Sequence, residues 1–492
     1  MTTSDNKNGK SRLEQIARRV MRDHGFLTDF STAVMNELAK IQNTVTPPPA
    51  IIKDLRQLPW ASIDNDDSRD LDQLTVAEVL PGNSVKIYVA VADVDGLVKK
   101  DSAIDLHAHQ NTTSIYTAGK TFPMLPENLS TNLTSLNYQE DRPAIVIEMT
   151  VNDSGDIKSS DIYAAIVRNH AKLAYNAVAV WLEGKEAAPD KSAVVDATLA
   201  ANLRIQDTVA QKLRAKRHLR GALELQTLET RPVFDGDEIK DLQVDETNRA
   251  KEIIEDFMIA ANDVTAVFLR SKQIPSIRRV VRAPKRWNRI VEIAAQHNSQ
   301  LPAEPDSKAL ADFLVKQKVA DPVSFPDLSL VIIKLLGSGE YVVELPGETA
   351  PGHFGLAVKD YTHSTAPNRR FPDLITQRIL KATLATLAVP YSPAELTDLA
   401  QHCTLKEDDA NKVERQIAKS AAAMLLSSRI GAQFDAICTG AADKGTWVRI
   451  FQPPIEGRLL HGYAGVDVGN RLKVKLVHVD IDKGFIDFDK VL

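Results

Sequence analysis

The chain has 492 residues and a formal net charge of −5, with 43% hydrophobic and 25% charged residues. This length exceeds what one hydrophobic core supports, so several domains are predicted, and the composition excludes a disordered or fibrous chain. The only cysteines, Cys403 and Cys438, exclude a disulfide scaffold and a zinc site. No apolar run is long enough to span a membrane and the N-terminus lacks an apolar signal core, so we expect a cytoplasmic protein.

Residues 1–57 predict a short helical segment followed by a linker. Apolar residues from Leu13 to Met21 recur at helical spacing, and a second helix is predicted from Ser31, as its N-cap, to about Gln42. Three consecutive prolines then indicate a linker over 44–50.

Residues 58–425 predict one large domain of mixed secondary structure. Apolar and other residues alternate from Val85 to Val91 and from Ile145 to Met149, which is typical of strands. Long helical patterns follow at 196–220, 248–271 and 373–387. Strands followed by helices favour an α+β catalytic domain.

Residues 426–492 predict a separate, smaller domain. Short apolar strands alternate with turns that contain Gly440, Gly445, Gly457, Gly469 and Gly484. This pattern is typical of an all-β barrel of OB-fold size.

The segment from Ser62 to Gln73 is the most informative, because five aspartates fall within nine of its residues. Acidic runs are commonly solvated loops. Here, however, Ile63 and Leu71 flank the aspartates and would anchor a packed loop, which forces the carboxylates to converge. Converging carboxylates repel unless a hard cation neutralises them, and carboxylate oxygens are the ligands that Mg²⁺ prefers.

This segment resembles the metal-binding signature of the ribonuclease II/R family, in which an isoleucine–aspartate pair is followed six residues later by an aspartate, an apolar residue and two aspartates. The resemblance implies a Mg²⁺ site, with Mn²⁺ as a substitute, formed by Asp64, Asp70, Asp72 and Gln73, and it makes Asp72 catalytic. The family has an aspartate where Gln73 stands, and an amide supplies no negative charge. We therefore expect weaker metal binding, altered metal preference or lost activity.

Three further segments carry the same resemblance. Tyr116, within residues 115–126, matches a tyrosine that stacks on a base near the RNA 3′ end, and Glu255 matches a glutamate that contacts the terminal nucleotide. Arg369, within residues 352–374, matches an arginine that grips the scissile phosphate; a planar guanidinium suits this role because it forms paired hydrogen bonds to phosphate. By this resemblance, Asp72, Arg369 and Glu255 are the catalytic candidates.

Other positions are weaker candidates for RNA contacts. Arg370 and Arg378 are candidates for contacts to the RNA backbone. Leu225 stands where the family has a phenylalanine that stacks opposite the tyrosine, so the length of the final product is in question. The barrel resembles the ribosomal S-one-type OB fold that follows the family's catalytic domain, and Trp447 is a candidate for base stacking. The family's two N-terminal cold-shock OB folds have no counterpart in residues 1–57, so we expect looser RNA binding.

The resemblance implies a monomeric Mg²⁺-dependent exonuclease that hydrolyses single-stranded RNA from its 3′ end to 5′-nucleoside monophosphates. Gln73 and Leu225 also leave open a catalytically weak or inactive RNA-binding protein on the same fold. A phosphotransferase that uses Asp70 and Asp72 as nucleophile and acid is a third alternative, but it leaves Tyr116, Arg369 and the barrel unexplained.

Overall fold

The computed structural model describes residues 9–41, 52–184, 197–228, 230–442 and 444–491, so the predicted linker at 44–50 lies outside the described residues. The helices are α1 (Gly9–Asp23), α2 (Thr32–Leu38), α3 (Ala103–Asn111), α4 (Tyr175–Leu182), α5 (Ala197–Leu219), α6 (Arg249–Ser271), α7 (Trp287–Gln296), α8 (Ser307–Ala320), α9 (Phe325–Leu336), α10 (Phe371–Leu384) and α11 (Pro393–Leu426). Shorter helical turns lie at Asn128–Leu133, Phe354–Leu356 and Ser427–Arg429.

The strands of the larger domain are β1 (Lys53–Asp54), β2 (Ala61–Asp64), β3 (Gln73–Leu80), β4 (Ser84–Ala92), β5 (Ile115–Tyr116), β6 (Thr121–Phe122), β7 (Asp141–Val151), β8 (Ile157–Arg168), β9 (Ala171–Ala174), β10 (Thr230–Asp235), β11 (Glu238–Val244), β12 (Ser276–Val280) and β13 (Glu340–Glu344). Those of the smaller domain are β14 (Gln433–Ala442), β15 (Gly445–Ile450), β16 (Ile455–His461), β17 (Arg471–Asp480) and β18 (Phe485–Lys490).

A seven-stranded mixed sheet forms the centre of the larger domain, in the order β1-β8-β7-β4-β3-β2-β9. The β3–β4, β4–β7 and β7–β8 pairs are antiparallel, whereas β1 and β9 each pair in parallel at the two edges. The alternating segments that predicted strands lie within β4 and β7. Most of the sheet and the helices against it share one apolar core, and β2, β9 and α4 share a second, smaller one. The ends of β2 and β3 are therefore held by packed apolar residues.

The predicted helices form, with boundaries set by their caps. The Ser31 hydroxyl accepts from the Val34 N–H, and α2 ends at Leu38 rather than near Gln42. The side chain of Asn248 caps α6 by accepting from the Lys251 N–H. Both residues supply an acceptor for an N–H group that has no partner within the first turn of a helix.

A closed barrel in the order β14-β15-β16-β18-β17 forms the smaller domain. The long helix α11 leads from the larger domain to the barrel, and a second apolar core joins α1, α11, β11 and the barrel. Arg449 of β15 also forms a buried ion pair with Asp327 of α9, at 2.9 Å. The predicted fold class, an α+β domain followed by a small barrel, is therefore confirmed. Among the described helices, none is long and apolar enough to cross a membrane.

Candidate active site

The acidic segment forms a loop between two neighbouring strands of the central sheet. Asp64 is the last residue of β2, and Asp72 directly precedes β3. Ile63 and Leu71 are buried, and the Leu71 N–H donates to the Ser135 Oγ at 2.9 Å. The apolar anchors predicted from the sequence therefore hold the loop in place.

Asp72 is the most buried of these aspartates, with 3% of its surface exposed. Its Oδ1 accepts from the Asn368 backbone N–H at 3.1 Å, and its Oδ2 accepts from the Arg369 Nε at 3.1 Å. Burial raises the pKa of Asp72, and the Arg369 guanidinium opposes that rise. Burial also raises the pKa of Asp64, although the Asn65 backbone N–H lowers it in part.

The negative charge of this loop suits a divalent cation, but its carboxylates alone do not form a complete coordination shell. Asp70 contributes to the raised pKa of both Asp64 and Asp72 through like-charge repulsion, which a bound cation would relieve. Within the described ranges, no three His, Cys, Asp or Glu side chains lie close enough to hold a metal ion by themselves. Mg²⁺ is usually bound by one or two carboxylates together with water and substrate phosphates. The residues present therefore fit an ion that shares its coordination with a phosphate ligand.

Gln73 has a structural contact that the sequence did not reveal. Its side-chain Nε2 donates a hydrogen bond to the backbone carbonyl of buried Thr365. An aspartate at this position could not donate that bond. The amide nitrogen is thus occupied, and Oε1 is the side-chain atom that could contact a metal ion.

A cavity of about 390 Å³ brings most of the predicted site residues together. Its lining includes Asp64, Asp70, Gln73, Tyr116, Glu255, Arg369 and Arg370. Tyr116 lies on β5 with 46% of its surface exposed, and its hydroxyl is 3.5 Å from the Asp70 Oδ2. Glu255, on α6, is exposed and lies 3.5 Å from Arg214. The cavity therefore combines carboxylates, a guanidinium and an exposed aromatic ring.

A second, similar-sized cavity adjoins the first and also has Tyr116 and Asp70 in its lining. Tyr116 borders both cavities. A single nucleic-acid strand that occupied both cavities would therefore pass its ring. An exposed ring in this position can stack on a base of any identity.

The prediction that Arg378 contacts the RNA backbone is wrong. Arg378 is 4% exposed and forms ion pairs with Asp95 at 3.2 Å and Asp105 at 2.8 Å. It also donates to the Tyr391 hydroxyl at 2.9 Å. These contacts occupy the guanidinium inside the domain, where RNA cannot reach it.

Three other candidates lie in different surroundings. Leu225 does not line the cavity; it packs against the helical cluster that contains Trp287 and Phe325, so the expected position opposite Tyr116 is not observed. Arg370 lines the cavity, but its guanidinium is paired with buried Asp373 at 2.7 Å. Trp447 is half-buried on β15 in the barrel, and its stacking on RNA stays a prediction.

The sequence did not single out several residues that line the cavity. Tyr175 is the first residue of α4, and no motif distinguished it from a packing residue. Asn262 did have a sequence signal, because it is a polar amide among the apolar residues of α6. Its Oδ1 accepts from both the Ser364 N–H and Oγ at 2.8 Å, which holds the loop that leads to Arg369.

Comparison with known proteins gives consistent results for both domains. The RNB domain family matches residues 52–386, and the RNase II-type exonuclease C-terminal S1 domain matches residues 432–491. Ribonuclease R of Vibrio parahaemolyticus is 29% identical over 96% of this chain and 60% of its own length, and ribonuclease R of Escherichia coli is 30% identical over 89% and 57%. The chain thus spans about 60% of the length of these curated relatives.

A solved structure of similar fold is Mycoplasma genitalium RNase R in complex with ribose methylated single-stranded RNA. It has a TM-score of 0.88 and 25% identity, and the match covers 97% of this chain and 78% of that one. The same protein has also been solved with double-stranded RNA, with a TM-score of 0.87 and 26% identity.

Proposed function

Because this chain belongs to the RNB domain family, we propose that it is a Mg²⁺-dependent exoribonuclease that hydrolyses single-stranded RNA from the 3′ end to 5′-nucleoside monophosphates. The observation that carries the proposal is the convergence of Asp64, Asp70 and Arg369 on one cavity. Buried Asp72 does not line this cavity, and it reaches the site through its ion pair with Arg369. Paired carboxylates with an adjacent guanidinium suit phosphodiester hydrolysis, since charge develops on the phosphate during the reaction.

Each side chain has a role that follows from its contacts. Asp64 and Asp70 would hold Mg²⁺, which when bound supplies Lewis-acid activation of the phosphate and of a water molecule. The Nε of Arg369 is bonded to Asp72, which leaves its two terminal nitrogens for the scissile phosphate. Asp72 thus orients Arg369, and Tyr116 stacks on a base at the boundary of the two cavities. Glu255, exposed at the cavity wall, accepts hydrogen bonds from hydroxyl groups of the terminal ribose.

A second candidate is an RNA-binding protein of weak or no catalytic activity. The bond from Gln73 Nε2 to the Thr365 carbonyl favours this candidate, because it fixes an uncharged side chain at a position where the ribonuclease II/R signature has an aspartate. The same cavity would then bind the RNA 3′ end without hydrolysing it.

The deciding experiment is a time course on a 5′-labelled single-stranded RNA with Mg²⁺ or Mn²⁺. Wild type is compared with Asp72→Asn and Gln73→Asp, with exposed Asp161→Asn as the matched control. A ladder that shortens from the 3′ end, and slows about 10²-fold or more in Asp72→Asn, supports the exonuclease. RNA binding without cleavage in wild type, with cleavage in Gln73→Asp, supports the second candidate.

A further inference from the structure

The short hairpin that carries Tyr116 contacts two helices that are far from it in sequence. Ile115 of β5 and Phe122 of β6 are buried in the core that α1, α11 and the barrel share. The hairpin itself has only two residues in each strand. So small a hairpin is not stable in isolation, and its position therefore depends on the helices that contact it.

One helix, α11, holds the backbone of Tyr116 directly. The Tyr116 N–H donates to the Oε1 of Glu414 at 2.8 Å. At its other end the Tyr116 hydroxyl approaches the Asp70 Oδ2 at 3.5 Å. A hydrogen bond to a charged acceptor is among the stronger ones in proteins, so Glu414 restrains the Cα from which the ring extends over the cavity.

A second helix, α1, is in direct contact with the turn of the hairpin. A Cβ added to Gly119 would lie 2.8 Å from the Glu14 backbone nitrogen and 3.0 Å from the Lys10 carbonyl oxygen. Lys120 also forms an ion pair with Glu14 at 3.1 Å. The turn therefore cannot move toward α1.

We propose that Glu414 is a positioning residue for Tyr116 and that α1 supports the turn of the same hairpin, so that this pair of contacts sets how the 3′-terminal bases are held. The proposal rests on the proposed role of Tyr116 in base stacking. It assigns part of the active site to α1, which lies outside the residues that match the RNB domain family. It also makes α11, the helix that leads to the barrel, a direct part of base binding.

The test measures base stacking without requiring catalysis. A single-stranded RNA that ends in a fluorescent purine analogue is titrated with protein in EDTA, and quenching of the analogue reports stacking. The variants are Glu414→Ala, Glu414→Gln, Tyr116→Ala and the Tyr116→Ala/Glu414→Ala double variant, with Asp398→Ala, exposed on the same helix, as the control. We expect Glu414→Ala to weaken quenching-monitored binding about tenfold, since a hydrogen bond to a charged group contributes about that factor.

Glu414→Gln should lose less quenching than Glu414→Ala, because its amide oxygen still accepts from the Tyr116 N–H although it carries no charge. The double variant should be no weaker than Tyr116→Ala alone, because Glu414 acts through the ring. Additive losses in the double variant, or wild-type quenching in Glu414→Ala, would overturn the proposal. If Tyr116→Ala itself leaves quenching unchanged, the proposed stacking role fails first, and the inference fails with it.

Gly119→Ala tests the α1 side independently of any charge. The added methyl group meets backbone atoms of α1 that cannot rotate away, so the turn and α1 must move apart. We expect weaker quenching with an unchanged far-ultraviolet circular dichroism spectrum. Wild-type quenching in this variant would remove α1 from the proposal.

Discussion

Replacing Gln73 by aspartate should destabilise the metal-free protein while increasing its response to Mg²⁺. The substitution removes the donor to the carbonyl of buried Thr365 and places a carboxylate beside Asp72, which is already buried. Loss of a hydrogen bond to a buried acceptor costs about 1–3 kcal/mol, and the added repulsion raises the total to about 2–4 kcal/mol. For a domain of this size, we expect the thermal midpoint to fall by about 3–6 °C.

The assay is thermal unfolding in EDTA and in excess Mg²⁺, for wild type, Gln73→Asp and the exposed control Gln300→Asp. A cation that binds the folded state raises the midpoint, so Mg²⁺ should restore more stability to Gln73→Asp than to wild type. An unchanged midpoint in EDTA would refute the importance of the Thr365 contact. Equal Mg²⁺ responses in wild type and variant would refute the expectation that Gln73 weakens metal binding.

Arg378→Gln should lower the thermal midpoint by several degrees, because removing one member of a buried ion pair such as that with Asp105 costs about 3–5 kcal/mol; a loss of RNA affinity without destabilisation would contradict its structural role. Burial raises the pKa of Asp263 from 3.8 to about 6. The folded state therefore binds the carboxyl proton of Asp263 more tightly than the unfolded state does, and the free energy of unfolding decreases as pH rises from about 4 to about 6. Asp263→Asn should therefore unfold at a higher temperature than wild type above about pH 6 and at the same temperature below about pH 4, and parallel midpoint–pH curves would contradict this reasoning. Arg449→Met leaves Asp327 without its buried partner and should weaken the attachment of the barrel to the larger domain. Limited proteolysis near residues 427–432 should then be faster, and unchanged cleavage would show that the apolar contacts alone hold the barrel.

Local sequence patterns were sufficient for several of the main elements and for the acidic loop. Strand alternation predicted β4 and β7, and helical spacing predicted α1 and α6. The segment from Asp64 to Gln73 could be interpreted because its members are neighbours in sequence, and because flanking apolar residues become buried whatever the partner. Side-chain chemistry and short spacing are properties that the sequence itself contains.

The sequence by itself thus determined the fold class and the acidic loop, and its resemblance to the ribonuclease II/R family supplied Tyr116, Glu255 and Arg369 as candidate residues. Tertiary structure decided whether each arginine side chain faces the cavity or the protein interior. For that reason the sequence-based prediction for Arg378 was wrong. It also decided the pairings of Gln73 with Thr365 and of Tyr116 with Glu414, whose members lie 292 and 298 residues apart. Such contacts depend on how helices and strands pack, and local periodicity does not specify which distant polar group satisfies a buried donor.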